Sequence, residues 1–172
     1  MATAADQPDS DSLDERTKPP FLRRVRIRGY KSLAFCEVQL QPLTILVGRN
    51  GSGKSNFLDA LAFLRDAMDG GVTEAARLHG GTEAIRCRTT DSHAIEIGLE
   101  TAFPSYQMDC LAEYSIKLLV KGRGLVEVER ERLRIHDTTR SRTCGFDASQ
   151  GKAQWGGLEQ FGHGNFGRIK GQ

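Results

Sequence analysis

Gly48-Arg49-Asn50-Gly51-Ser52-Gly53-Lys54-Ser55 is a complete G-x-x-x-x-G-K-S stretch, the Walker A pattern of a phosphate-binding loop. Its surroundings are what the pattern needs to carry meaning: a strand before it and a helix after it. Pro42-Leu43-Thr44-Ile45-Leu46-Val47 reads as a buried strand, and Asn56 to Met68 reads as a helix. Phe57, Leu61, Leu64 and Met68 fall at i, i+4, i+7 and i+11, one apolar stripe expected to dock that helix on a sheet.

The chemistry of the loop follows from its residue types. Gly48, Gly51 and Gly53 allow positive φ and leave no Cβ between backbone and ligand. Successive N–H groups, from Asn50 through Ser52 to Asn56, are then free to form an anion-binding nest. The helix start adds unpaired N–H groups and a favourable dipole. Lys54 is expected to reach the β- and γ-phosphates of a nucleoside triphosphate, and the Ser55 hydroxyl to ligate Mg²⁺. A nucleoside triphosphate and Mg²⁺ are the ligands this implies.

Outside the loop the chain is less specific. Its 172 residues are the length of one domain, enough for a real core. Residues 1–18 carry five acids and two bases, a net of −3, which leaves +5 for the rest of a chain whose total is +2. A mildly basic body permits nucleic-acid contact without demanding it. Residues 1–20 read as a disordered acidic tail, lacking the basic start and apolar stretch of a secretory signal. No run approaches the roughly 20 apolar residues of a membrane span, so no membrane partner is expected. Cys36, Cys87, Cys110 and Cys144 are widely spaced and read as buried free thiols of a reducing, cytoplasmic compartment. The four histidines (His79, His93, His136, His163) are scattered, which gives metals other than Mg²⁺ no support.

Around the loop, Phe21–Arg28 and Ala34–Leu40 read as two strands joined by a turn at Gly29-Tyr30-Lys31-Ser32. After the helix a glycine stop at Gly70-Gly71 and a short helical piece, Thr73–Leu78, precede three strands at Ala94–Ala102, Glu113–Val120 and Leu125–Ile135. Lys121-Gly122-Arg123-Gly124 reads as the hairpin turn between the last two. The unit is antiparallel, unlike a run of βαβ crossovers. Residues 21–144 therefore read as one nucleotide-binding lobe, and residues 145–172, with eight glycines, as a poorly defined segment. Arg130, Arg132 and Arg134 share one strand face with Glu127, Glu129 and Glu131 opposed, the pattern of a solvated strand pair.

Arg28-Gly29-Tyr30-Lys31-Ser32-Leu33, a strand, Leu43–Val47 and then Gly48–Leu61 together resemble the N-terminal half, lobe I, of ABC-type ATPases. Within them, the RecF/SMC/OLD-like AAA family ATPases are most similar, with an aromatic-Lys-Ser element followed by G-x-N-G-S-G-K-S-N. The resemblance implies an α/β fold: a P-loop NTPase of ABC type, with an antiparallel β subdomain flanking the Walker A strand, loop and helix. It implies ATP with Mg²⁺, a homodimer that sandwiches nucleotide, and work on DNA in repair, chromosome maintenance or phage defence. It also implies an apolar strand ending in Asp-Glu (Walker B) and an L-S-G-G-Q signature, and neither occurs in these 172 residues. The chain thus resembles an incomplete ATPase that needs a C-terminal half for hydrolysis, and no catalytic residue is assigned. Two alternatives stay open: a small-molecule P-loop kinase, and a truncated, non-enzymatic remnant.

Overall fold

In a computed structural model, residues 21–90, 92–104, 109–121, 124–149 and 152–156 are described. The elements run β1 (Phe21–Tyr30), β2 (Leu33–Gln39), α1 (Lys54–Gly70), α2 (Val72–Leu78), α3 (Thr82–Ile85), β3 (Ala94–Pro104), β4 (Asp109–Lys121), β5 (Leu125–Asp137), β6 (Arg142–Ser149) and β7 (Lys152–Gly156). All seven strands form one antiparallel sheet in the order β2-β1-β3-β4-β5-β6-β7.

Alternation decides which face is covered. Val25 and Ile27 of β1, Ile95 and Ile97 of β3, Ile116, Leu118 and Val120 of β4 and Val126 of β5 point one way and are buried. The helices supply the other half of that core through Phe57, Ala60, Phe63, Leu64, Ala75, Ala76 and Ile85. The opposite face carries Arg24 and Arg26, Glu96 and Glu100, Lys117, and Arg130 and Arg132, the half-solvated pattern of an antiparallel sheet. The sheet continues beyond Cys144 through β6 and β7, which enter the glycine-rich stretch. The expectation of a disordered tail at 1–20 lies outside the described residues, as does most of the segment assigned to 145–172.

Two expectations need correction. Residues 42–47 have no strand pairing, and Leu43, Ile45 and Val47 stand 81%, 75% and 85% exposed. A continuous apolar run suits a strand covered on both faces, and among the described residues no strand lies beside it to satisfy its backbone. The helix stripe also differs. Phe57 and Leu64 are buried and Leu61 is half-buried, but Met68 is exposed; Ala60 and Phe63 take the inward positions instead. At about 100° per residue Ala60 and Phe63 lie on the opposite side of Phe57 from Leu61 and Met68, so the buried face is rotated away from the expected stripe and leaves Met68 outside it.

Candidate nucleotide-binding site

The loop sits at the start of α1. Gly53 is the N-cap with φ +92° and ψ 1°, and Gly51 has φ +79°. A side chain at Gly53 would be strained by that backbone and would also stand 2.9 Å from Leu33 Cδ2. The first helical bond runs from Phe57 N–H to Gly53 C=O at 2.9 Å. The N–H groups of Lys54, Ser55 and Asn56 precede it and have no acceptor within the helix. Those three donors, with the positive end of the helix dipole, are what an anion requires.

Lys54 turns back over the loop. Its ammonium donates to Gly48 C=O (2.7 Å), Arg49 C=O (2.8 Å) and Ser52 Oγ (3.2 Å). A Cβ on Gly48 would approach Ser52 Oγ to 3.0 Å and Lys54 Nζ to 3.9 Å, so the space over the loop depends on a glycine there. A triphosphate fits this donor set: helix-start N–H groups, the Lys54 ammonium and the Ser55 hydroxyl, with the loop itself exposed. Asn50, Gly51, Ser52 and Ser55 are all solvent-facing, and Ser55 Oγ is the hydroxyl available to Mg²⁺. Among the described residues no group of three His, Cys, Asp or Glu side chains gathers to hold a metal ion.

The turn between β1 and β2 braces α1, and local sequence reading does not reveal it. Asn56 Nδ2 donates to Ser32 Oγ at 2.7 Å, tying the first turn of α1 to the Tyr30-Lys31-Ser32 element. Lys31 takes φ +48°, strained for a lysine, and its N–H donates to Ile85 C=O at 2.8 Å. Its ammonium meets Asp59 Oδ2 at 2.6 Å, and the fully buried Tyr30 donates its hydroxyl to the same oxygen at 2.6 Å. His79, which caps α2, faces Asp59 Oδ1 at 3.0 Å and Asp66 Oδ2 at 2.9 Å. Phe63 fills the space between, tilted against Tyr30 at 5.5 Å and edge-on to His79 at 5.6 Å. Burial pushes the Asp59 carboxyl up, but hydrogen bonds from Lys31, Tyr30 and His79 outweigh it and hold the group below its ordinary value. Burial, then Asp59, pushes the Tyr30 phenol well above its ordinary value. The available signal was Asp59, Phe63 and Asp66 at i, i+4 and i+7, one polar-edged stripe along α1.

The basic face of the sheet is largely paired within itself. Arg130 and Arg132 both engage Asp147 Oδ2, at 2.6 and 2.7 Å, and Lys117 meets Glu129 at 2.8 Å. Arg26 donates to Glu37 at 2.9 Å. A bulge between Lys117 and Leu118 brings Glu129 toward Lys117, off the face that strict alternation assigns it. No described helix is long and apolar enough to cross a membrane. Cys36 is half-buried and Cys87, Cys110 and Cys144 are buried.

A protein-family model for an AAA ATPase domain matches residues 21–138, well over half of the chain and the whole of β1 through β5. The chain is also similar to the chromosome partition protein Smc of Desulfitobacterium hafniense (strain Y51), 47% identical over 51 residues. That match covers 28% of this chain and only 4% of the Smc protein. With a phosphate loop opening α1, an antiparallel sheet behind it and this match, the chain belongs to the AAA ATPase domain family, as a P-loop NTPase with similarity to Smc.

Proposed function

We propose that this chain is the nucleotide-binding lobe of an SMC/RecF-like ATPase of ABC type, holding MgATP on residues 48–56. The observation that carries this reading is the placement of Lys54 and Ser55 on the first turn of α1, with the Lys54 ammonium held over the loop. Lys54 would neutralise the β- and γ-phosphates, the N–H groups of Gly53 to Asn56 would cradle them, and Ser55 Oγ would hold Mg²⁺. The ion, when bound, supplies charge neutralisation at the transferring phosphoryl group. Asn56, through Ser32, keeps that first turn in place on the sheet.

The antiparallel pairing of every described strand supports this reading over a small-molecule kinase, whose βαβ units would give parallel neighbours. The apolar run 42–47 supports the incomplete-lobe reading, since a strand from elsewhere would find it outside the sheet with Leu43, Ile45 and Val47 exposed. Hydrolysis on this view needs a water-activating carboxylate and a signature segment from a second polypeptide segment, and two such units would close on nucleotide as a dimer. On this reading the lobe works on DNA in the cytoplasm, in chromosome maintenance, repair or defence, and the similarity to a chromosome partition protein supports the first of these.

The test is turnover. The chain alone with MgATP is expected to bind without release of phosphate, and to hydrolyse only when mixed with a segment carrying Walker B and signature sequences. Phosphate release, or transfer to a small acceptor, by the chain alone would overturn the lobe reading.

A further inference from the structure

The brace behind the loop contains a histidine with an unusual pair of partners. His79 is 9% exposed, and each ring nitrogen faces a different carboxylate: Nδ1 meets Asp59 Oδ1 at 3.0 Å and Nε2 meets Asp66 Oδ2 at 2.9 Å. An ionised carboxylate only accepts hydrogen bonds, and a neutral imidazole has one N–H. Only the doubly protonated ring can donate to both. The other charges around it divide the carboxylate oxygens cleanly. From the β1–β2 turn, Lys31 and Tyr30 engage Asp59 Oδ2; from α1, Arg65 engages Asp66 Oδ1 at 2.7 Å. On α2 itself, Glu74 and Arg77 pair with each other at 2.6 Å and leave the ring alone.

We propose that His79 is a positioning residue for the phosphate-loop helix: acting through Asp59, its doubly protonated ring clasps the end of α2 to α1. Loss of one ring proton turns a lone pair toward a carboxylate oxygen about 3 Å away, and attraction becomes repulsion. The clasp then opens on the α2 side, while Lys31 and Tyr30 still hold Asp59 to β1. Asp59 lies on the second turn of the helix whose first turn carries Lys54 and Ser55, so nucleotide affinity is expected to follow the protonation of His79. That last link rests on the nucleotide-site reading; the clasp itself does not.

The experiment uses the full chain with ¹⁵N-labelled histidine, assigned through His79→Gln. The ring ¹⁵N shifts are expected to show two protonated nitrogens wherever α2 is protected, and a rise in pH that removes one is expected to speed amide exchange in α2 and the facing turns of α1. Asp66→Asn is the conservative variant: its amide can donate to a neutral ring or accept from a charged one. It should fold and keep α2 protected, with the pH dependence of exchange gone. MgATP affinity measured over the same pH range should fall as the wild-type ring deprotonates, with that fall absent in both variants. A His79 ring that is singly protonated while α2 stays protected, or wild-type exchange that does not change as the ring deprotonates, would overturn the clasp. An affinity profile identical in wild type and variants would overturn its positioning role. Absence of MgATP binding by the wild type would instead overturn the nucleotide-site reading, and the ring shifts and exchange would still decide the clasp.

Discussion

Replacing Asp59 with alanine removes the acceptor shared by Tyr30, Lys31 and His79. The Tyr30 hydroxyl belongs to a fully buried residue, so leaving it without a partner costs about 1–3 kcal/mol. The Lys31 pair is partly solvated, with side-chain exposures of 21% and 30%, and loses about 0.5–1 kcal/mol. The sum is about 1.5–4 kcal/mol, and for a chain of this size each kcal/mol shifts Tm by about 2–4 °C. Thermal denaturation followed by circular dichroism should therefore show Asp59→Ala melting about 3–16 °C below wild type. Tyr30→Phe is the control. It removes the donor and keeps the acceptor, so the loss should be about 1 kcal/mol. An Asp59→Ala protein no less stable than Tyr30→Phe would refute the reasoning, because Asp59 would then be a solvated carboxylate with no bracing role.

Leu64→Ala should cost about 2–5 kcal/mol by urea denaturation, whereas Met68→Ala should stay within about 0.5 kcal/mol, since one is buried and the other exposed. Ile45→Asp should likewise leave the stability of this chain within about 0.5 kcal/mol and raise its solubility, because Ile45 is 75% exposed. Acid should destabilise the fold through its paired carboxylates. Hydrogen bonds from Arg130 and Arg132 hold Asp147 far below its ordinary value, and Asp59 is lowered as well. Between the folded and unfolded values the unfolded chain binds more protons, so this stability is present above about pH 4, near the unfolded carboxylate value, and is lost as pH falls further. Asp147→Asn should flatten that acid limb in denaturation midpoints taken from pH 3 to 7.

Much of this was legible where the signal is local. Alternation in Phe21–Arg28, Ala34–Leu40 and the three later strands set the antiparallel sheet, because one face of each is covered and the other is wet. The motif 48–55 and the helix after it needed no partner to be recognised. Residues 42–47 show the limit: their apolar composition specifies burial, but burial depends on a neighbour, and none is among the described residues. Met68 lies outside because the face that docks is rotated toward Ala60 and Phe63, a choice made by the sheet beneath the helix and not by the spacing of its apolar residues. The brace was out of reach for another reason. Tyr30 and Asp59 are 29 residues apart, and Asp59 and His79 are 20, so no window along the chain contains the contact. A carboxylate bordering a helix's apolar face marks such a spot without saying which cation or hydroxyl answers it.

The most direct measurement is the affinity of purified wild type and Lys54→Ala for MgATP by isothermal titration calorimetry. Lys54 contributes a charged hydrogen-bond donor to the phosphates, worth about 1.5–3 kcal/mol, so the variant is expected to bind at least about tenfold more weakly than the wild type. Equal affinities, or no binding by a folded wild-type chain, would contradict the assignment of residues 48–56 as a nucleotide site.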